Sequence, residues 1–224
     1  MVGIAVGTAP GPLVTHCSVL VRPGEVVAIV GAAGAGKSIL LDVLSGHRRP
    51  SRGVSQILGI DTVDRPDSVR HHLTYIPPAG LIDGALTLRQ QVAWWCALLH
   101  LSATVASIRR ALRDTDIPDR YFDQAGSTVP PECRVLAWVA LARLRNSPVM
   151  LVDDPVSTTS PAGTRHLTRV FRDQAQRGVS MLVMTRDAHF AEAVAHEVVA
   201  LEDGRTHPPR LFRSMRLSGK SPVG

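Results

Sequence analysis

A glycine-rich segment followed by a lysine and a serine is the part of the sequence whose residue types and spacing indicate chemistry most directly. Residues 31–38, Gly-Ala-Ala-Gly-Ala-Gly-Lys-Ser, match the pattern G-x-x-x-x-G-K-[ST]. Glycines allow such a loop to turn its backbone N–H groups toward phosphate oxygens, and a following helix presents its positive end to the same anion. The sequence therefore predicts a nucleotide-binding loop that consists of Gly31, Ala32, Ala33, Gly34, Ala35, Gly36, Lys37, Ser38 and Ile39.

Two side chains of this loop are predicted to contact the phosphates and a metal ion. Lys37 is expected to reach the β- and γ-phosphates, and the Ser38 hydroxyl is expected to ligate magnesium. The chain has 25 lysines and arginines, of which Lys37 and Lys220 alone are lysines. A lysine at this position is informative because its compact ammonium group fits inside a phosphate-wrapping loop, whereas a guanidinium group is larger and planar.

A second metal ligand is predicted at the end of a short apolar run, Val149–Val152. Asp153 follows this run directly. Ligands of open α/β sheets bind at the carboxyl ends of the strands, so Asp153 is expected to hold the magnesium ion through water. The alternative interpretation is an acidic turn that ends the strand before Pro155.

Short apolar strands alternate with helices on both sides of these motifs. Strands are predicted at Glu25–Val30, Val149–Val152, Val179–Met184 and Val198–Leu201. Helices are predicted at Ser38–Leu44, Val135–Leu144, Gly163–Gln176 and Ala188–Ala195, and the pattern from Leu86 to about Leu112 is mainly helical. Such alternation indicates a parallel sheet that is covered by helices on both faces.

Length and composition indicate one compact domain. The chain has 224 residues, of which 45% are hydrophobic and 20% charged, and this is enough to bury a full core. Its apolar runs are shorter than the roughly 20 residues that cross a bilayer, and its first residues lack a signal-peptide pattern, so we expect a cytoplasmic protein. The three cysteines, Cys17, Cys96 and Cys133, are expected to be buried free thiols.

The formal net charge of +6 is concentrated at the end of the chain. The basic residues after position 204 are Arg205, Arg210, Arg213, Arg216 and Lys220. We expect residues 1–204 to form the domain and residues 205–224 to form a basic, flexible tail; contact of this tail with anionic lipid or nucleic acid is the alternative. The charge by itself does not indicate a specific nucleic acid partner.

Around these motifs, residues from about 10 to 205 resemble the nucleotide-binding subunit of ABC transporters. The resemblance lies in Pro23–Gly31, Leu44–Gly53, Leu86–Val92, Val139–Arg143, Val149–Pro155 and Val198–Arg205. It implies an α/β fold: a three-layer P-loop NTPase cassette with a parallel-rich core sheet, an N-terminal antiparallel β portion and a helical subdomain inserted at about residues 85–143. It also implies that the ligands are ATP and Mg2+.

The resemblance implies protein partners as well. ABC cassettes act as dimers and gate an integral membrane permease, so this chain is expected to pair with a second cassette, identical or different, and to lie peripherally at the inner face of the cell membrane. Trp94 and Trp95, near the start of the helical subdomain, are candidates for contact with the permease. The alternative is that one tryptophan lies in the core and the other shields its edge.

Several positions depart from the family's pattern. Residues 131–135 stand where the family has its Leu-Ser-Gly-Gly-Gln signature, which holds the partner's γ-phosphate; here Glu132 would bring a negative charge instead, and the prolines remove N–H donors. Pro78 stands in place of a glutamine, and the loop Val156–Ser160 lacks the family's aspartate. These departures put the completion of a partner's site in doubt.

The catalytic candidates are Asp154 and Arg186. Asp154 stands where the resemblance places a glutamate, and its shorter side chain can still orient a water molecule. Arg186 replaces a histidine and can clamp a γ-phosphate rather than relay a proton. We therefore expect weak or absent hydrolysis by a transporter subunit; the alternatives are a non-hydrolysing regulatory cassette and a soluble ABC protein that acts on nucleic acid or ribosomes.

Overall fold

The computed structural model of the protein describes residues 2–8 and 11–207, with the side chains from residue 14 onward. The strands are β1 (Val2–Thr8), β2 (Gly11–Val19), β3 (Val26–Val30), β4 (Arg52–Gly53), β5 (Gln56–Ile57), β6 (Ile60–Asp61), β7 (Leu73–Ile76), β8 (Val149–Asp153), β9 (Ser180–Thr185), β10 (Glu197–Glu202) and β11 (Arg205–His207). The helices are α1 (Lys37–Leu44), α2 (Pro66–His72), α3 (Leu88–Leu98), α4 (Val105–Arg113), α5 (Pro131–Leu144), α6 (Pro161–Gln176) and α7 (Ala188–Val194).

Nine strands form one sheet in the order β4-β1-β2-β11-β10-β3-β9-β8-β7. The strands β10, β3, β9, β8 and β7 are parallel, and they carry the predicted motifs. In the other half, β1 pairs antiparallel with β2 and β4, and β11 connects the two halves through β2 and β10. The predicted α/β fold, with a parallel-rich core sheet and an N-terminal antiparallel portion, is confirmed.

The parallel half of the sheet is buried on both faces. Alternate residues of β3, namely Val26, Ala28 and Val30, belong to the hydrophobic cluster formed with α3 to α7. Val27 and Ile29 belong to the opposite cluster, which includes α1. Burial on both faces explains why this strand is an uninterrupted apolar run, and it gives the predicted three layers.

Helices α3, α4 and α5 occupy the part of the chain in which the inserted helical subdomain is predicted. The stretch with the predicted helical pattern, Leu86 to about Leu112, contains two helices with a break between them. Thr87 and Thr104 explain the two starts, since each side chain accepts a hydrogen bond from the backbone N–H three residues later.

Two further segments differ from the sequence-based expectation. Helix α2 has no counterpart among the predicted helices. It begins at Pro66, and proline is compatible with the first helical turn, where its missing N–H has no partner to lose. Arg205–His207, assigned to the tail, form β11 and pair with β10. The rest of the predicted tail, residues 208–224, lies outside the described residues.

The cysteines and the helices bear on two other expectations. Cys17, Cys96 and Cys133 are buried and free, as predicted. None of the helices in the described part of the chain combines the length and the apolar composition of a membrane-spanning segment.

Candidate nucleotide-binding site

The loop between β3 and α1 has the backbone that its glycines predict. Gly34 and Gly36 adopt left-handed conformations, with φ of 80° and 100°. A Cβ atom at Gly31 would lie 2.7 Å from the carbonyl oxygen of Leu201 in β10, so a larger residue does not fit there without movement of the strand. The loop therefore turns sharply at the end of β3 and leads directly into α1, which begins at Lys37.

The Lys37 side chain closes this loop. Its Nζ atom donates hydrogen bonds to the carbonyl oxygens of Gly31 and Ala32, at 2.7 and 2.8 Å. Burial lowers the pKa of Lys37, and the negative charges of Asp154 and Asp153 oppose this decrease. The Lys37 ammonium group thus interacts electrostatically with both carboxylates. Phosphate oxygens can replace the loop carbonyls as its hydrogen-bond acceptors.

Asp153 is a buried carboxylate at the end of β8. Only 6% of the surface of Asp153 is exposed to solvent. Burial raises the pKa of Asp153, and the neighbouring charge of Asp154 adds to this increase. The Tyr75 hydroxyl, on β7, donates a hydrogen bond to Oδ2 over 3.4 Å. A desolvated carboxylate next to a second one is stabilised by a cation, and its oxygen atoms are ligands that suit magnesium.

The residues present fit a magnesium ion that is shared with bound phosphate. Ser38 lies in the first turn of α1 and is exposed. Among the residues that the structure describes, no group of three or more His, Cys, Asp or Glu side chains could hold a metal ion. Magnesium at nucleotide sites commonly takes one or two protein ligands together with phosphate oxygens and water, and the pair Ser38 and Asp153 matches that donor set.

Asp154 is the point at which the loops after β7, β8 and β9 meet. Its N–H donates a hydrogen bond to the Met184 carbonyl at 2.8 Å, and its own carbonyl accepts one from the Ala79 N–H at 3.3 Å. Its carboxylate forms an ion pair with Arg186, whose Nε and Nη2 atoms lie 3.1 and 3.0 Å from Oδ2. Thr185 donates a longer hydrogen bond to Oδ1, at 3.4 Å. The two catalytic candidates therefore contact each other directly.

The start of α5 places its acidic residue differently from the expectation. Helix α5 begins at Pro131 after Pro130, whose side chain makes no capping hydrogen bond. A Cβ atom at Gly163 would lie 2.6 Å from the Glu132 Oε2 atom, so this carboxylate lies against the first turn of α6 in the same chain. The N-terminal end of α6 favours a negative charge. The structure thus directs Glu132 toward α6, while the two prolines leave the start of α5 poor in N–H donors.

The loop after β7 connects Asp154 to the helical subdomain. A Cβ atom at Gly80 would lie 2.5 Å from the Val135 backbone nitrogen, so the loop and α5 approach closely. The Leu81 carbonyl accepts a hydrogen bond from Trp138 Nε1 at 3.2 Å. The Trp138 ring stacks on Trp95, with centroids 3.7 Å apart. Together with the bond between Ala79 and Asp154, these contacts form a continuous connection from the site to α3.

The two adjacent tryptophans have different surroundings. Trp95 is 6% exposed and belongs to the core, whereas Trp94 is 52% exposed. Leu81 and Leu98 are also exposed, at 71% and 58%. The core interpretation therefore holds for Trp95, whereas Trp94 is an exposed position on α3.

Sequence reasoning missed Tyr75 and Thr185 as members of the site. Tyr75 reaches Asp153 because β7 pairs in parallel with β8. Thr185 reaches Asp154 because β9 pairs with the other edge of β8. The sequence predicts the strands but not their order, and it therefore contains no local signal for either contact.

Comparison with known proteins agrees with this fold and this loop. A family model described as ABC transporter matches residues 14–157. The hemin import ATP-binding protein HmuV of Nocardia farcinica (strain IFM 10152) is 30% identical over 203 residues, which cover 85% of this chain and 68% of that protein. The thiamine import ATP-binding protein ThiQ of Escherichia coli O157:H7 is 28% identical over 209 residues, with coverages of 91% and 88%.

A solved structure shows the same fold. It is the dimeric, post-hydrolysis state of an ATP-binding cassette bound to ADP and Pi. The TM-score is 0.78 at 19% sequence identity, and the match covers 94% of this chain and 99% of the other.

Proposed function

Because this chain belongs to the ABC transporter family, we propose that it is an ATP-binding subunit that binds Mg-ATP and couples its nucleotide state to a separate membrane permease. The arrangement of Lys37 is the observation that carries this proposal. Its ammonium group closes a glycine loop at the N terminus of α1 and interacts with the charges of Asp153 and Asp154. Backbone N–H groups of the loop and the Lys37 ammonium group would bind the β- and γ-phosphates.

Ser38 and Asp153 would hold the magnesium ion. Held there, magnesium would offset the negative charge of the phosphate oxygens. Asp153 is suited to this role because it is buried and negatively charged next to a second carboxylate, a state that a cation stabilises. Tyr75 orients the Asp153 carboxylate through its hydroxyl group.

We further propose that hydrolysis by this chain alone is weak or absent. A general base has to lie within hydrogen-bond reach of the attacking water, and errors of about 1 Å are costly. The Asp154 Oδ2 atom is already engaged by Arg186. In the nucleotide-bound state, Arg186 would exchange this carboxylate for the γ-phosphate, because a guanidinium group binds either anion through charge-assisted hydrogen bonds. Asp154 would then be free, but its side chain is one methylene shorter than the glutamate that the resemblance places there, so it would hold the attacking water less well.

The second candidate function is a regulatory cassette that senses nucleotide and pairs with a competent ABC ATPase. The start of α5 favours it, because Pro130 and Pro131 supply no N–H groups and Glu132 is directed to α6 in the same chain. This chain would then bind nucleotide without completing the site of its partner cassette. A regulatory cassette of this kind would form a heterodimer, whereas a transporter subunit could form a homodimer or a heterodimer.

The partner expected at the helical subdomain is an integral membrane permease. Trp94, Leu98 and Leu81 form exposed apolar positions on α3 and on the loop that connects to Asp154. A tryptophan in such a position has a large apolar surface and a polar N–H group, which suits a protein interface. Docking there would place the chain peripherally at the inner face of the cell membrane. We propose no specific nucleic acid partner.

The test combines nucleotide binding with phosphate release. Binding of a fluorescent ATP analogue with magnesium is measured for the wild type, Lys37→Ala and Lys220→Ala, which removes the other lysine of the sequence. Lys37→Ala should abolish binding, and Lys220→Ala should bind as the wild type does. Phosphate release is followed in the same samples, alone and with candidate partner cassettes.

The outcomes separate the parts of the proposal. Lys37-dependent binding with little release supports a weakly hydrolysing subunit, and release on addition of one partner cassette favours the regulatory role. Rapid Lys37-dependent release by the chain alone refutes weak hydrolysis. Absence of any binding refutes the nucleotide-binding function itself.

A further inference from the structure

An apolar cavity of about 320 Å³ lies on the α1 side of the sheet. It is located near the starts of β8 and β9, at the end of these strands opposite to Asp153. Its described walls include Leu40 and Leu44 of α1, Leu151 and Leu182 of the sheet, and Cys17 and Val19 of β2. Apolar cavities of about 150 Å³ are known to accept a benzene molecule, so this one can accept more than one large side chain.

The mouth of the cavity is also apolar. Leu20 and Leu58 line it, and these residues are 42% and 55% exposed. Apolar walls that continue into exposed leucines indicate an apolar occupant rather than ordered water, which needs several polar partners.

The described chain ends beside this cavity. Strand β11 runs parallel to β2, with Arg205 opposite His16. The Thr206 hydroxyl accepts a hydrogen bond from the Ser18 N–H at 3.1 Å, so the last described residue, His207, lies close to the wall residue Val19. The sequence continues for 17 residues beyond this point (224 − 207).

The composition of these residues suits the cavity. Pro208 and Pro209 lack the N–H donors that a strand uses for pairing, and this composition favours contacts through side chains. The large apolar residues that follow are Leu211, Phe212, Met215 and Leu217. Leu211 is four residues beyond His207, and four extended residues can span about 14 Å. The part of the wall that lies three strand residues beyond Ser18 is only about 10 Å away, so Leu211 can reach it.

We propose that the C-terminal segment of this chain fills the cavity with the side chains of Leu211 and Phe212. Helix α1 has Lys37 and Ser38 at its start and Leu40 and Leu44 on the cavity wall. The segment therefore supports the helix that carries the phosphate-binding residues, from the side opposite to the nucleotide.

Cys17 reports on the occupant, because it lines the cavity and is 4% exposed. The full-length chain is used with Cys96→Ala and Cys133→Ala, so that Cys17 is the remaining thiol. The Leu211→Ser and Phe212→Ser double variant should react with a thiol reagent at least about tenfold faster than this background. Val223→Ser, which changes an apolar residue near the end of the same segment, should react at the background rate.

A disulfide test detects proximity directly. In the same background, Phe212→Cys should form an intramolecular disulfide with Cys17 on mild oxidation with copper phenanthroline, whereas Val223→Cys should not. An intermolecular disulfide would mean that a second copy fills the cavity, and it would overturn the proposal. Unchanged Cys17 reactivity in the double variant, or Cys17 protection only by an added small apolar compound, would also overturn it.

Discussion

Replacing Arg186 with glutamine tests the proposed exchange of its partner from Asp154 to the γ-phosphate. The substitution removes the guanidinium group that pairs with Asp154 and retains a side chain that can still donate a hydrogen bond. The Arg186 side chain is 56% exposed, and ion pairs at this exposure contribute about 0.2 to 1 kcal/mol to stability. We therefore expect the free energy of unfolding to change little.

The effect on ATP binding should be larger. Arg186 would gain about 1.5 to 3 kcal/mol from a charge-assisted hydrogen bond to the γ-phosphate. To make this contact it would lose its ion pair with Asp154, which contributes about 0.2 to 1 kcal/mol. The difference is about 1 to 2 kcal/mol, which corresponds to a rise of about 5- to 30-fold in the Kd for ATP. ADP has no γ-phosphate, so its Kd should change less than about twofold.

The assay is a pair of titrations, one with ATP and one with ADP, both with magnesium. Arg169→Gln is the matched control, because Arg169 also forms an exposed ion pair, with Asp116 at 2.9 Å, but lies on α6. This control should leave both Kd values unchanged. Circular dichroism melting of the three proteins verifies that they are equally folded.

Two results would refute the reasoning. If the affinities for ATP and ADP fall by the same factor, Arg186 acts on the loop structure and does not sense the γ-phosphate. If the ATP affinity is unchanged, Arg186 stays with Asp154 in the bound state, and the proposed exchange of partners does not occur.

Two other predictions concern stability. Trp138→Phe retains an aromatic ring to stack on Trp95 but removes the hydrogen bond to the Leu81 carbonyl. Urea denaturation should therefore show a free energy of unfolding that is lower by about 0.5 to 1.5 kcal/mol. An unchanged free energy of unfolding would contradict a stabilising role for this bond. Burial lowers the pKa of His166 below its ordinary value of 6.5, and its buried Nε2 atom has no hydrogen-bond partner among the described residues. The His166 imidazole therefore binds a proton more readily in the unfolded state than in the folded state. The stability that is present above about pH 6.5 is lost as the pH falls through the pKa of His166 in the folded state. His166→Gln should reduce the loss of melting temperature between about pH 7 and pH 5, and an unchanged pH profile would be inconsistent with this explanation.

The helices and strands were largely predictable because their signals are local. A continuous apolar run such as β3 is buried on both faces, and the glycine pattern places the turn before α1. The failures are local as well. The capping residue Thr104 divides the predicted helical stretch in two, and Pro66 begins helix α2, which was not among the predicted helices.

The phosphate-binding loop is contained in eight consecutive residues, and the sequence alone therefore predicted it, because glycine conformations and the lysine position are local properties. The contact between Asp154 and Arg186 is different, since it joins residues 32 positions apart. It exists because β8 and β9 are neighbours in the sheet, and strand order depends on how all the helices and strands bury their apolar faces together. The same reason explains why the tertiary structure alone decided that Tyr75 reaches Asp153 and that Glu132 lies against α6.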